Sequence, residues 1–506
     1  MSSESSSLRF RTNLLGAIAL AGYVLMALLS YAQAPVLWRS EIAQAPRAVA
    51  FFEALDRQFE AFPIYSSIKE VISSVLTSNA AVIASYWIPL GITTVAMMLM
   101  LSSLVRYRAA ADAAIAGLLL RWSLTFAMAC SLAIPIFTQD LWLSAVWGRM
   151  IVAGVNPYYS YFTPEALQGL PLDHFPMVMS YGPLWGLLAG AVTAISRDSV
   201  LVTSILSKGL LAATWVGSLV LIGRIVRERP GFDRCLAVAL FGWTPVSVTQ
   251  SLAEGHNDIV MVFFLLLWFS LLLRGNRLAP VALVASILCK YVTAPLFAID
   301  AIHLLRAEHG HWRAYAIRLL VPAAFALSVF AVFYRSPEFF DGLRVISEWR
   351  FLQPRDAVSA LAYLTGIGLA PLEFAVTALF PALAVYYCVA CFRRSTVDDI
   401  PKATIAILAS ISFAAISHLW PWYMIWSLAF AAMLPAWWLS RFVVGVAVMA
   451  PFAVVWWISP FAFQMAAPVV YGGAILWMLA TRHMPGDPAA LGQRGTQDVT
   501  PPRYSA

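Results

Sequence analysis

Charge is what this chain has least of. Asp, Glu, Lys and Arg make up 12% of its 506 residues, about half the roughly 25% of a soluble protein. The shortage runs along the whole length, and 61% of the residues are hydrophobic. This excludes a soluble domain with a single anchor and points to an integral membrane protein. Cysteine is also scarce: Cys130, Cys235, Cys289, Cys388 and Cys391 all lie in or beside apolar runs. Cys388 and Cys391 form a CxxC one helical turn apart, but inside an apolar helix, where packing is the expected role. A disulfide framework and a zinc site are set aside on that ground. No short internal repeat is visible. The net charge of +7 sits in short loops, where Lys and Arg set membrane topology, so no nucleic-acid partner is expected.

What the chain does have is long apolar runs. They fall near 12–32, 79–104, 113–137, 201–224, 235–252, 259–273, 278–290, 292–305, 314–334, 371–392, 402–420, 422–440, 442–462 and 466–481. The expected fold is all-α: a polytopic bundle of about 14 transmembrane helices, most near the roughly 20 residues a span needs, with interfacial helices in the outer loops. The first run, TNLLGAIALAGYVLMALLSYA, is longer than a signal-peptide core and reads as a retained helix.

Arg9 and Arg11, Arg106 and Arg108, the group from Arg224 to Arg234, Arg274 and Arg277, Arg306 to Arg318, and Arg393, Arg394 and Lys402 all fall on one side if residues 183–197 do not fully cross. As a helix that segment would be about 22 Å long, short for a core of roughly 30 Å. The positive-inside rule places this side in the cytoplasm of a plasma membrane, with both termini there. Runs 278–290 and 292–305 are short too and read as a hairpin whose tip points outward. The outer side then receives 33–78, 138–182, 253–258, the tip near 290, 335–357 and HLWPWY.

The chain divides into an N-terminal helical hairpin with an outer amphipathic loop (1–110), a catalytic module (111–345), C-terminal membrane helices (346–482) and a disordered cytoplasmic tail (483–506). In the first outer loop, Glu53, Asp56 and Glu60 alternate with bases on an expected interfacial helix and look solvated.

Few polar residues stand where chemistry is feasible. Asp140 sits where the run 113–137 emerges, and a carboxylate there must be wet, paired or functional. It can cap the helix that follows. Trp142, Val146 and Met150 recur at four-residue spacing, so 141–153 is expected to lie along the interface, carrying Arg149, until Gly154 and Asn156-Pro157 stop it. The stretch EGHND (254–258) interrupts two apolar runs. A plain turn needs only Gly and Asn, so Glu254, His256 and Asp258 are in excess, although Asn257 or Asp258 can cap the next helix. Lys290 stands at the hairpin tip, where it can snorkel to headgroups or bind an anion. His418-Leu-Trp-Pro-Trp-Tyr places rings at the outer surface. Trp437 and Trp438 read as ordinary belt residues. Arg121 reads as structural, and Lys208, in the outer half of its run, as able to meet a lipid phosphate.

Five segments in order resemble the GT-C superfamily of glycosyltransferases, nearest the bacterial polyprenol-phosphate-mannose-dependent α-mannosyltransferases. QDLWLSAVWGRMIVAGVNPYY resembles their first outer loop: Asp140, Gly148, Arg149, Gly154, Asn156, Pro157 and Tyr158 match, and Ser144 replaces a Tyr. YGPLW resembles a Tyr-Pro-Pro segment, with Gly182 for the first Pro. WTPVSVTQSLAEGHND, SILCKYVTAPLF and HLWPWYMIW resemble three further segments. The likeness touches residues 138–440.

The resemblance implies an inverting hexosyl transfer, mannose first, from a polyprenyl-phosphate donor to an extracytoplasmic glycan or glycolipid. Asp140 takes the family's catalytic role as general base. Lys290 is the expected phosphate partner, with Arg149, His256, Asn257, Asp258 and Tyr181 on the donor side. His418, Trp420, Trp422 and Tyr423 are expected to meet the acceptor, and Glu348, Trp349 and Arg350 to shape its entrance. Superfamily members that transfer oligosaccharides carry acidic pairs and bind a divalent cation. Here one His and one Asp stand without a second carboxylate cluster, so no cofactor is assigned, and a divalent metal stays open as the lesser alternative. The rival reading is a transporter or flippase of a lipid-linked sugar, which would share the apolar core. Such folds often show inverted repeats and midplane sites, whereas these polar clusters collect on one face. A non-catalytic scaffold would leave the coincidence of Asp140, Lys290 and EGHND unexplained.

Overall fold

A computed structural model describes residues 3–39, 79–172, 177–197, 199–307, 312–347, 351–394, 399–453 and 460–482. The expected helix of loop 33–78, the entrance residues Glu348 to Arg350 and the tail from His483 lie outside them, in whole or for the most part. Among the described residues every regular element is helical, and the one β-bridge joins Phe351 to His418. This is what lipid demands, because backbone groups in it must be satisfied within the segment.

Among the described residues, five helices are long and apolar enough to cross a membrane: Ser3–Tyr31, Ile83–Arg106, Ala113–Ser131, Val200–Ile225 and Ala370–Arg393. Two more spans are possible if bent pairs are counted. Gly231–Gly242 and Pro245–Ala253 meet at 55°, and Arg318–Phe333 and Pro337–Val345 at 98°. Each bend precedes a proline, which lacks an N–H and forces the residue before it out of the helical region. Thr244 and Ser336 are accordingly extended.

The remaining apolar helices are short. Pro183–Ser196 has 14 residues, about 21 Å. Asp258–Leu272 and Ala279–Cys289 are followed by Lys290 in extended conformation and a 3-10 turn, Tyr291–Leu296. The run 422–440 is not one span: only Met424–Ala431 is α-helical there, and the next helix starts at Trp438. Met424 to Leu434 are all buried, as expected of a segment that is apolar all round and packed inside protein.

The helix Asp140–Val152 also departs from expectation. Leu141 to Gly148 are buried without a break, so it is a core helix, packed on Pro183–Ser196, and not one lying at the interface. Four-residue spacing cannot separate these cases, since it marks one apolar face and says nothing about the other.

Two π-helical turns stand just before the two motif loops: Thr249–Ala253 ahead of EGHND, and Ile411–Ala415 ahead of HLWPWY. Such turns are rare and gather at functional sites. The first is braced by opposite charges. Lys208 Nζ donates to the carbonyls of Leu252 (3.0 Å), Ala253 (3.1 Å) and Ala133. Its three donors are therefore spent on main-chain oxygens, and the expected phosphate contact gives way to a structural one. Glu254 Oε2 accepts from the amides of Ile136 (3.1 Å) and Phe137 (3.0 Å). The lysine thus meets carbonyls at the end of the π-helical turn, and the glutamate meets amides of the loop between Ser131 and Asp140.

Replacing Glu254 by Ala strands the buried N–H of Ile136, at a cost of about 1–3 kcal/mol, and the half-buried N–H of Phe137. The thermal midpoint of detergent-purified protein should fall clearly for Glu254→Ala and far less for Glu254→Gln, which keeps an acceptor oxygen. An unchanged midpoint for the alanine variant would rule out the brace.

Candidate active site

Asp140 is the first residue of its helix, with Gln139 at the cap position. Its amide donates to Thr138 Oγ1 at 3.1 Å. The carboxylate does not cap the helix. Tyr181 Oη donates to Oδ2 at 2.8 Å, and His256 Nδ1 lies 2.8 Å from the same atom. Oδ1 has no partner among the described residues, and the side chain keeps 16% of its surface open. Burial alone would raise this carboxyl's pKa. The contact with His256, the Tyr181 hydroxyl and the Lys290 ammonium outweigh it and hold Asp140 below its ordinary value. Tyr181 moves the other way: burial and the Asp140 and Asp258 carboxylates push it well above the usual phenol range, so it stays a donor.

EGHND is a buried turn, not an exposed loop: Glu254, His256, Asn257 and Asp258 are each 3% exposed or less. Gly255 makes the turn at φ 82°, a left-handed conformation that glycine adopts without penalty. It brings the fully buried His256 ring against Asp140. Asn257 occupies the cap position of Asp258–Leu272 but makes no side-chain cap. Both of its amide atoms are buried without a partner among the described residues.

Asp258 faces Lys290, with Oδ1 2.7 Å from Nζ and also accepting the Trp426 indole N–H. The ammonium lies over the rings of Tyr423 (4.9 Å), Tyr181 (5.2 Å) and Trp426 (5.2 Å), a cation–π cage that holds a cation at little desolvation cost. Trp426 closes the segment HLWPWYMIW but has no role among the expected site residues; its i,i+4 spacing from Trp422 is the signal that marks it.

Gly182 explains how Tyr181 reaches this cage. Its N–H donates to Cys289 O at 3.0 Å, and a Cβ there would lie 2.1 Å from Leu288 O. The segment therefore lies flat on the end of the Lys290 hairpin. Tyr158 Oη supports it by donating to Tyr181 O at 2.9 Å, while Asn156 Nδ2 donates to Phe333 O at 2.7 Å. These two motif residues build the scaffold around the site.

The HLWPWY rings pack against the cluster and against one another. His256 stacks on Trp422 at 3.8 Å and 19°, and Trp420 stacks on it at 5.1 Å and 3°. Two near-parallel rings this close cannot share one face of Trp422 without overlapping, so they cover opposite faces. Trp422 therefore has no face to offer a sugar and joins the two loops instead. Phe351, also unmarked in the sequence, packs on Trp420 at 5.0 Å. His418 is buried with Nε2 3.0 Å from Tyr423 Oη, and so orients a wall of the lysine cage. Arg149 donates to the carbonyls of Ala166 (3.1 Å) and Gln168 (2.5 Å), bracing the outer loop. The structure thus brings together Asp140, Tyr181, His256, Asp258, Lys290, Trp422 and Tyr423. Among the described residues no three His, Cys, Asp or Glu side chains converge as a metal site requires.

A family-wide sequence model described as alpha-(1->6)-mannopyranosyltransferase, N-terminal domain, matches residues 16–307. That is more than half of the chain and takes in everything from Asp140 to Lys290; the chain belongs to this family. It is also similar to Alpha-(1->6)-mannopyranosyltransferase A of Corynebacterium glutamicum, at 25% identity over 202 residues, 37% of this chain and 38% of that protein. The chain therefore spans well under half the length of that relative.

Removing one partner of a buried ion pair strands the other charge and costs about 3–5 kcal/mol. Lys290→Met should lower the thermal midpoint sharply, and adding Asp258→Asn should restore much of it. A single variant as stable as the unmodified protein would show that the pair is not buried as described.

Proposed function

We infer that the protein transfers mannose from a polyprenyl-phosphate donor, held in the bilayer, to an extracytoplasmic glycan or glycolipid, with inversion. The observation that carries this is the asymmetry of Asp140. One carboxylate oxygen is held by two donors, and the other is left open at the mouth of the cluster. The acceptor hydroxyl gives its proton to Oδ1 while its oxygen attacks the anomeric carbon. The bond from that carbon to the phosphate oxygen breaks, and a polyprenyl phosphate leaves with one more negative charge. A β-linked donor gives an α-linked product. Lys290 meets the growing phosphate charge, and its cage keeps the ammonium in place before the donor arrives, which is the preorganisation that electrostatic catalysis needs.

Helix direction supports an extracytoplasmic site. Asp258–Leu272 starts in the cluster and ends before Arg274, and Ala279–Cys289 runs back from Arg277 to Lys290. Met424–Ala431 starts beside Tyr423, and beyond its far end Met433 O accepts from Arg229. Arginines and cluster thus lie at opposite ends of the same helices, as the positive-inside rule requires of a site facing away from the cytoplasm.

Purified protein given polyprenyl-phosphate-mannose and oligomannoside or glycolipid acceptors should form a new α-mannosidic bond. Asp140→Asn should lower that rate by about 10²–10⁴-fold. Because the carboxyl lies below its ordinary value, the base form persists as the pH falls through mildly acidic conditions and is lost only under stronger acid. Equal rates for the two proteins would remove Asp140 from the role. Movement of the lipid-linked sugar across a vesicle membrane with no bond formed would make the protein a carrier.

A further inference from the structure

We propose that His256 is a positioning residue that acts through Asp140, supplying a fixed Nδ1–H to the carboxylate oxygen that does not take the proton. This rests on the reading of Asp140 as base and deepens it. The side chain expected to hold donor sugar has no route to it. The ring is 0% exposed, lies flat on Trp422, and is anchored by its own backbone N–H, which donates to Gln250 O at 3.1 Å.

The proton's place follows from the surroundings. Nδ1 lies 2.8 Å from Asp140 Oδ2, and Nε2 is buried without a partner among the described residues. An imidazolium would bury an Nε2–H with no acceptor, and the Nε2–H tautomer would also turn the Nδ1 lone pair toward a carboxylate oxygen. Burying an unpaired donor is costly. The neutral Nδ1–H tautomer avoids both faults, and it is inferred from the network of partners. It keeps donating throughout turnover: once Oδ1 is protonated, Oδ2 remains a carbonyl-type acceptor, so neither His256 nor Tyr181 has to move.

The groups around the His256 ring and its carboxylate partner Asp140, on the packed helix, are Glu254 on the same turn, Tyr181 on the flanking segment, Asp258 and Lys290 on the hairpin side, and Trp422 and Tyr423 on the far loop. Of these, the imidazole and the Tyr181 hydroxyl are the donors that reach Oδ2.

Two substitutions separate positioning from packing. Asn places an amide N–H near the position of Nδ1, whereas Gln places it near Nε2, and both remove the stack on Trp422. His256→Asn should keep kcat within about tenfold of the unmodified protein, and His256→Gln should lose about 10²-fold, with the donor KM little changed in both. Loss of a donor to Oδ2 raises the base's pKa, so the acid limb of kcat should move to higher pH in His256→Gln. It should stay in place in His256→Asn, because the amide N–H takes over the donation to Oδ2. Equal losses in the two variants would make His256 a packing residue. A raised donor KM at unchanged kcat would make it a substrate contact. If His256→Gln does not fold, an acid limb that moves in His256→Asn overturns the proposal by itself. Asp140→Asn, assayed in parallel, isolates the underlying reading: activity there removes the base, whereas an inactive Asp140→Asn beside equal His256 variants removes only the positioning role.

Discussion

A single oxygen, Oδ1 of Asp258, joins three distant parts of the chain. It begins one short helix, pairs with the lysine that ends the next, and accepts from an indole 168 residues further on. An ionised carboxylate inside an apolar bundle has to be paired and hydrogen-bonded, so the helices bearing Lys290 and Trp426 are held wherever Asp258 is. Asp140 obeys the same rule through Tyr181 and His256. The two carboxylates are neighbours in one aromatic enclosure, yet they have opposite fates. Asp258 gives its charge to a cation in the protein, and Asp140 keeps one oxygen open.

The bundle is shaped by interruptions as much as by spans. Pro245 and Pro337 turn two apolar runs aside, Lys290 breaks a third by becoming extended, and buried charges satisfy the freed main-chain groups. Non-helical backbone at membrane depth is tolerated only when enclosed in protein or lining a cavity. The break from Trp243 to Asp258 is enclosed in protein, whereas the turn after Lys290 leaves Ala294 and Pro295 exposed. Lys208 and Glu254 therefore serve the site indirectly, by making a broken helix possible just before EGHND.

Much of this was legible in the residues alone. The apolar runs predict the all-α membrane class and the approximate place of most helices, and the unusual polar residues between them mark the cluster. Pairing was not legible. Nothing local says that His256 faces Asp140, 116 positions away, or that Lys208 is consumed by carbonyls. The same limit explains the Asp140 helix, whose apolar stripe fits an interfacial helix as well as a core one, and Trp422, whose two faces are covered by neighbours from different loops. Aromatic residues near a polar motif suggest sugar stacking until their partners are known.

The π-helical turn Thr249–Ala253 sets the aim of everything after it. A π-turn holds one residue more than the α-helical turn it replaces, as the bond from Glu254 N to Thr249 O shows. Each residue of an α-helix advances the chain by about 100°. A chain one residue shorter here would close the ordinary ladder and swing His256 roughly a quarter-turn or more away from Asp140. The direction of the imidazole is thus a matter of helical phase, set by the length of a five-residue segment that touches neither carboxylate nor sugar.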